Sequence, residues 1–241
     1  MRPNEFQGKV ALVTGAGRGM GRAVAEALAI RGAIVAANDI TPINLDETMR
    51  RITATGGSGK DYVFDISKKM TLQAMLNQIL DDWGRIDILV NHANVKPRAS
   101  LLDMDEWDWV RSLEVNLTGP FLCMQTVGRV MRTQGGGVMV NIGSTLEEPG
   151  DLEGRSAYTA GMAGLSQLTR EVARELAVYN IRLNLVCLGE QGHTPNIDLA
   201  ELGYPQGLLG YILYLCSQAS AHLYGQVFTV TEQTSPESFL A

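Results

Sequence analysis

KVALVTGAGRGMG, Lys9–Gly21, is the stretch whose reading decides the fold. An apolar run, Lys9–Val13, breaks at the glycine turn Thr14–Gly21. GRAVAEALAIRG, Gly21–Gly32, follows with Val24, Leu28 and their neighbours at helical spacing and a glycine as its stop. Glycines permit a tight turn and let backbone N–H groups approach a pyrophosphate at the positive end of a helix. A glycine turn alone is a weak signal; a strand before it and a helix after it give it weight.

Outward from this unit, short apolar runs alternate with longer amphipathic stretches. Ala33–Asn38, Asp61–Asp65, Ile86–Asn91, Gly137–Ile142, Ile181–Val186 and Gln226–Val230 read as further strands, most of them apolar almost throughout. Strands buried on both faces by helices have this composition. The expectation is an α/β fold in one domain spanning residues 1–241: a doubly wound parallel sheet of about seven strands with helices on both faces. The end, 232–241, reads as an irregular tail.

Composition narrows the function. With 241 residues, 45% of them hydrophobic, the chain can bury a full core. A net charge of −6 without clustered Lys and Arg argues against nucleic acid or an anionic membrane surface as partner. Cys123, Cys187 and Cys216 lie far apart in apolar surroundings and read as buried thiols of a reducing compartment. His92, His193 and His222 are scattered, so no metal site is expected. No segment has the apolar length of a signal peptide or a membrane span, and a soluble, cytoplasmic protein is expected.

About twenty residues beyond the glycine turn, the second strand ends in Asp39. A carboxylate there accepts hydrogen bonds from an adenosine ribose and repels a 2′-phosphate, which favours NAD(H) over NADP(H). Arg18, in the turn itself, pulls the other way because a guanidinium can pair with a phosphate. Asp39 weighs more, since it would meet the extra charge directly.

TGAGRGMG, VFDIS, LVNHAN, VNLTGPF, VNIGS and YTAGM occur in the order found in short-chain dehydrogenases/reductases. Over roughly Gly8 to Thr231 the chain resembles that family, and most closely its members that reduce 3-oxoacyl groups on acyl carrier protein. The resemblance implies a Rossmann fold. It places Gly15, Arg18, Gly19 and Gly21 at the pyrophosphate and Asp39 at the ribose. Asp65 and Ile66 fall beside the adenine, and Asn91 with Ala93 under the dinucleotide. The catalytic Asn, Ser and Tyr match Asn116, Ser144 and Tyr158. It further implies a homo-tetramer or dimer built on the helices around Glu106–Arg132 and Ser156–Tyr179, although packing within one chain explains the same small-residue pattern.

One position departs from the family with chemical consequence. The lysine four residues after the tyrosine is here Met162. A tyrosine ionises near pH 10, and a neighbouring ammonium is what would bring its phenolate toward working pH; a thioether does neither that nor a ribose contact. Met162 reads equally as core filler, Ser144 as a turn residue and Asn116 as a structural amide. Lys96 and Arg155 are the cations near these motifs that can stand in for the missing lysine, and His92 is a candidate acid/base.

Other departures agree. Asn94 occupies the usual glycine of the fourth-strand turn, Leu188-Gly189 replaces a Pro-Gly pair, and Glu190–Tyr204 is short for a substrate lid. Two readings follow. In the first, the chain is a degenerate member with little or no hydride transfer, a structural or regulatory subunit that may stand in a hetero-oligomer beside an active paralogue. In the second, it is an active NAD(H)-dependent oxidoreductase on a hydroxy or oxo substrate with an unusual proton route. The pattern names no individual small-molecule substrate.

Overall fold

Strand and helix alternate as the apolar runs require. β1 (Val10–Thr14) leads into α1 (Gly19–Ile30), β2 (Ile34–Asp39), α2 (Pro42–Ala54), β3 (Ser58–Val63), α3 (Lys69–Trp83) and β4 (Ile88–Asn91). α4 (Glu106–Leu113), a π-turn (Glu114–Thr118), α5 (Gly119–Thr133), β5 (Gly137–Ser144), α6 (Ser156–Ala177), β6 (Ile181–Leu188), α7 (Leu208–Cys216) and β7 (Val227–Val230) follow. This computed structural model describes residues 4–144, 154–189 and 197–230. His193, the first half of the short segment after β6 and the tail lie outside the described residues.

The seven strands pair in parallel in the order β3-β2-β1-β4-β5-β6-β7. Chain order reverses between β1 and β4, where the loops leaving the two carboxyl ends diverge and open a crevice. Alternation along β1 explains the two layers. Ala11 and Val13 join a core with Val24, Leu28, Leu45 and Ile212 on the α1, α2 and α7 side. Val10 and Leu12 face Leu72, Leu76, Met124 and Val127 on the α3 and α5 side. Each fully buried aliphatic side chain contributes about 1.5–3 kcal/mol, which is why near-continuous apolar strands occupy the centre.

Two elements differ from what hydropathy points to. The third strand begins three residues before the apolar run Asp61–Asp65 and ends at Val63. It lies at the sheet edge, pairs with β2 alone and buries only Tyr62, so it needs few apolar side chains; Phe64 and Asp65 pass into the loop beside the crevice. The stretch Glu106–Arg132 is two helices joined by a π-turn. Pro120 has no N–H to give the carbonyl four residues back, which belongs to Asn116, and the ladder widens there: Gly119 N–H reaches Glu114 O instead.

A buried polar chain crosses the sheet. Asn91 Nδ2 donates to Asn141 Oδ1 (2.9 Å), Asn141 Nδ2 donates to Thr169 Oγ1 (2.9 Å), and Thr169 Oγ1 donates to Leu165 O (2.7 Å). It ties β4 through β5 to α6. Asn141→Ala removes the two links that Asn141 makes and leaves the buried Asn91 Nδ2 without its partner, while Thr169 keeps its bond to Leu165 O, so we expect a loss of about 1–3 kcal/mol in urea unfolding. A loss below about 0.5 kcal/mol would show that the chain contributes little.

Candidate dinucleotide site

The glycine turn is built by contact between two backbones. Gly15 has φ +67°, and a Cβ there would lie 2.8 Å from Ala93 Cα and 2.9 Å from Ala93 N. A Cβ on Gly21 would lie 2.1 Å from Gly15 O and 2.6 Å from His92 Nδ1. Thr14 Oγ1 locks the junction by accepting from His92 N (3.0 Å) and Ala93 N (3.2 Å). On the outer side, Arg22 donates to Gly17 O and, at 3.2 Å, to Asn44 O, which fastens the turn to α2. Arg18 caps α1 and is exposed at the crevice mouth, and Gly19 (φ +55°) has open space where a Cβ would project.

The crevice has a volume of about 470 Å³; Gly15, Arg18, Gly19, Asp39, Asp65, Ile66 and Ala93 line it. Gly21 sits behind the turn as a packing glycine. Asn91 is buried in the sheet beneath the crevice, where its Nδ2 donates to Asn141 and its Oδ1 has no hydrogen-bond partner among the described residues. Asp39 Oδ2 accepts from Gly17 N and Oδ1 from Thr41 N, both at 3.1 Å, which fixes the carboxylate at the crevice wall. Asp65, on the same crevice, is already partnered. Burial alone would raise its pKa, but hydrogen bonds from Ser67 and the Arg111 guanidinium, 3.0 Å from Oδ2, hold it below the usual carboxylate value.

Asn94 needs no left-handed backbone: among the described residues the non-glycine positive φ values belong to Asn4 and Asn180. Its side chain donates to His92 O (2.9 Å) at the cleft wall. His92 is half-buried. Burial pushes its pKa below the ordinary value; the hydrogen bond with Gly15 O and the Asp39 charge oppose this, and Lys96 adds to it.

The catalytic candidates sit on α6, β5 and the π-turn. Ser144 ends β5 and is half-buried. Tyr158 and Met162, one turn apart on α6, are 3% and 6% exposed and share an apolar cluster with Leu165, Leu185 and Cys187. Met162 therefore fills core. Gly161 and Gly164 let α6 approach the π-turn, since a Cβ on either would meet Asn116 Cβ at 3.1 Å or Leu117 Cδ2 at 3.0 Å. Asn116 is fully buried; its Oδ1 accepts from Val95 N (2.9 Å) and its Nδ2 donates to Val95 O (2.8 Å) and Ser112 Oγ (3.0 Å). Its amide thus clamps the loop after β4. The next residue, Lys96, has its ammonium 5.1 Å from the centroid of the Tyr158 ring.

Residues 9–197 match the family described as short chain dehydrogenase. The chain belongs to that family. Among curated relatives, a 3-oxoacyl-[acyl-carrier-protein] reductase of Thermotoga maritima is 33% identical over 239 residues, 93% of this chain and 97% of the relative. A (2S)-[(R)-hydroxy(phenyl)methyl]succinyl-CoA dehydrogenase subunit of Thauera aromatica is 35% identical over 240 residues, 93% and 96% of the two chains. A 7α-hydroxysteroid dehydrogenase solved with NADH and 7-oxo glycochenodeoxycholic acid superposes with TM-score 0.83 at 30% identity, covering 97% of each chain.

This short-chain dehydrogenase carries three features that its motifs did not reveal. Arg111 reaches Asp65 from α4 and has no sequence signature beyond being a helical cation. Val115 joins it as a wall of the same crevice. The backbone clamp of Asn116 depends on a loop about twenty residues away, which spacing cannot show.

His92 supplies a pH test. Its pKa is depressed in the folded protein, so the unfolded chain takes up the proton first; its contribution is full above about pH 6.5 and falls as pH drops further. Between pH 7.5 and 5 we expect thermal stability to fall more for the wild type than for His92→Asn. Parallel curves would mean that His92 is not held neutral.

Proposed function

We propose that this short-chain dehydrogenase binds NAD(H) in the β1–β4 crevice and that its hydride transfer with hydroxy or oxo substrates is strongly attenuated at neutral pH. The observation that carries the attenuated reading is Met162, buried among apolar neighbours where the family has an ammonium. The crevice fits a dinucleotide on this chain's own geometry. A side chain on Gly15 would collide with the opposite strand end, the first-turn N–H groups of α1 have no partner within their helix, and Asp39 stands where a 2′-phosphate would be repelled. When bound, the nicotinamide ring supplies the hydride donor or acceptor. Tyr158 would exchange the accompanying proton with the substrate oxygen, and its phenol needs stabilisation of about 4 kcal/mol to ionise three pH units below its reference value.

In this reading the chain serves as a structural or regulatory subunit, in a dimer or tetramer of its own or beside an active paralogue. The exposed apolar residues Trp107, Val110 and Phe121 on α4 and α5 support a helical interface. A second reading, an active NAD(H)-dependent oxidoreductase with another proton route, is favoured by the ammonium of Lys96 over Tyr158.

Calorimetric titration tests the cofactor reading: NADH should bind in the micromolar range and NADPH at least tenfold more weakly, with Asp39→Ala narrowing that ratio. Equal binding of both would sink the assignment. For the chemistry, Met162→Lys should raise turnover of hydroxyacyl or oxoacyl substrates at pH 7 by about tenfold or more. Ordinary enzyme rates in the wild type would overturn the attenuated reading.

A further inference from the structure

We propose that Lys96 replaces the missing helical lysine as the source of positive charge at Tyr158, acting from the β4–α4 loop across the ring face. This deepens the second of the two readings above, and its physical core is independent of turnover. Three observations carry it.

The first is position. The Lys96 ammonium lies over the face of the buried Tyr158 ring, 5.1 Å from its centroid, within the range of a cation–π contact, which places a positive charge beside the phenol. The second is fixation. Lys96 follows Val95, whose N–H and C=O are both held by the buried Asn116 amide. Asn116 is in turn seated against α6 at Gly161, three residues beyond Tyr158. Helix, π-turn and loop form a closed circuit that brings a loop lysine back to the helix carrying the tyrosine. The third is that the usual location is occupied by Met162, which packs with Tyr158 and provides no charge.

Among the described residues, titratable groups stand near the ring on three elements. On α6 itself, Arg155 stands at the N-cap, three residues before Tyr158. Cys187 on β6 shares the tyrosine's apolar cluster, and Lys96 comes from the loop after β4. His92, at the end of β4, feels the Lys96 charge and is itself kept toward its neutral form. Lys96 is therefore a positioning residue for charge: it acts on Tyr158 and through it.

The test follows the phenol directly. Full-length protein labelled with 13Cζ-tyrosine is titrated by NMR from pH 6 to 11, with the Tyr158 resonance assigned by its loss in Tyr158→Phe. In Lys96→Met, Tyr158 should titrate about one pH unit higher than in the wild type, and Lys96→Arg should restore most of the difference. An unchanged Tyr158 titration in Lys96→Met, with a native melting curve, overturns the proposal and leaves Lys96 as a packing contact. If Lys96→Met fails to fold, Lys96→Gln is read by the same criterion. Where the wild type turns over a hydroxy or oxo substrate, the same substitution should move the pH profile of kcat/KM to the alkaline side and leave NADH affinity within twofold. A wild type that binds NADH without turnover refutes the active reading alone, because the phenol titration still decides the role of Lys96.

Discussion

A parallel sheet that opens into a crevice must satisfy the backbone groups its strands leave behind where they part, and this constraint organises the molecule. At the β1–β4 divergence Thr14 Oγ1 accepts two N–H groups from the end of β4. At β2, Asn38 Nδ2 donates to Tyr62 O and Phe64 O, holding the departing end of the edge strand. Asn91, Asn141 and Thr169 link side chain to side chain across the sheet centre, and Thr169 ends the chain on the Leu165 carbonyl of α6. Buried peptide groups without partners are costly, so small polar side chains recur at the carboxyl ends of otherwise apolar strands. The crevice exists because these side chains let the backbones separate without leaving groups stranded.

Electrostatics then divide that crevice. Asp39 is held by the backbone N–H groups of Gly17 and Thr41, and Asp65 is held as an anion by Ser67 and Arg111. His92, between the glycine turn and Lys96, is kept toward its neutral form by burial and by that lysine. The two carboxylates and the Arg18 and Arg111 guanidinium groups thus share the crevice, while Lys96 lies beyond, toward α6.

At the chemical end, Met162 belongs to the apolar cluster that also holds Tyr158, Leu165, Leu185 and Cys187. Asn116, which the family resemblance places in catalysis, uses both amide hydrogens and an oxygen lone pair on Val95 and Ser112. Its position in the π-turn, opposite Pro120, turns the amide toward the loop. The second half of the short segment after β6 also has a packing role: Leu199 and Tyr204 are buried in the α1–α7 core.

Local chemistry made much of this legible from the residues alone. Apolar runs and a glycine turn define the parallel sheet because strand burial and tight backbone approach depend on residue type near each point in the chain. The nearness of Met162 to Tyr158 is equally plain, since four residues put them one turn apart on a single helix. Tertiary structure decided the rest. The third strand's register depended on its being an edge, the break between α4 and α5 on where the freed Asn116 carbonyl falls, and the partner of Asp65 on an arginine 46 residues away. Lys96 over Tyr158 is the clearest case: 62 residues separate them, and only the packing of α6 on the π-turn, with Asn116 gripping Val95, brings the charge to the ring. Short-range pattern determined the elements; contacts between distant segments determined which side chains meet in the site.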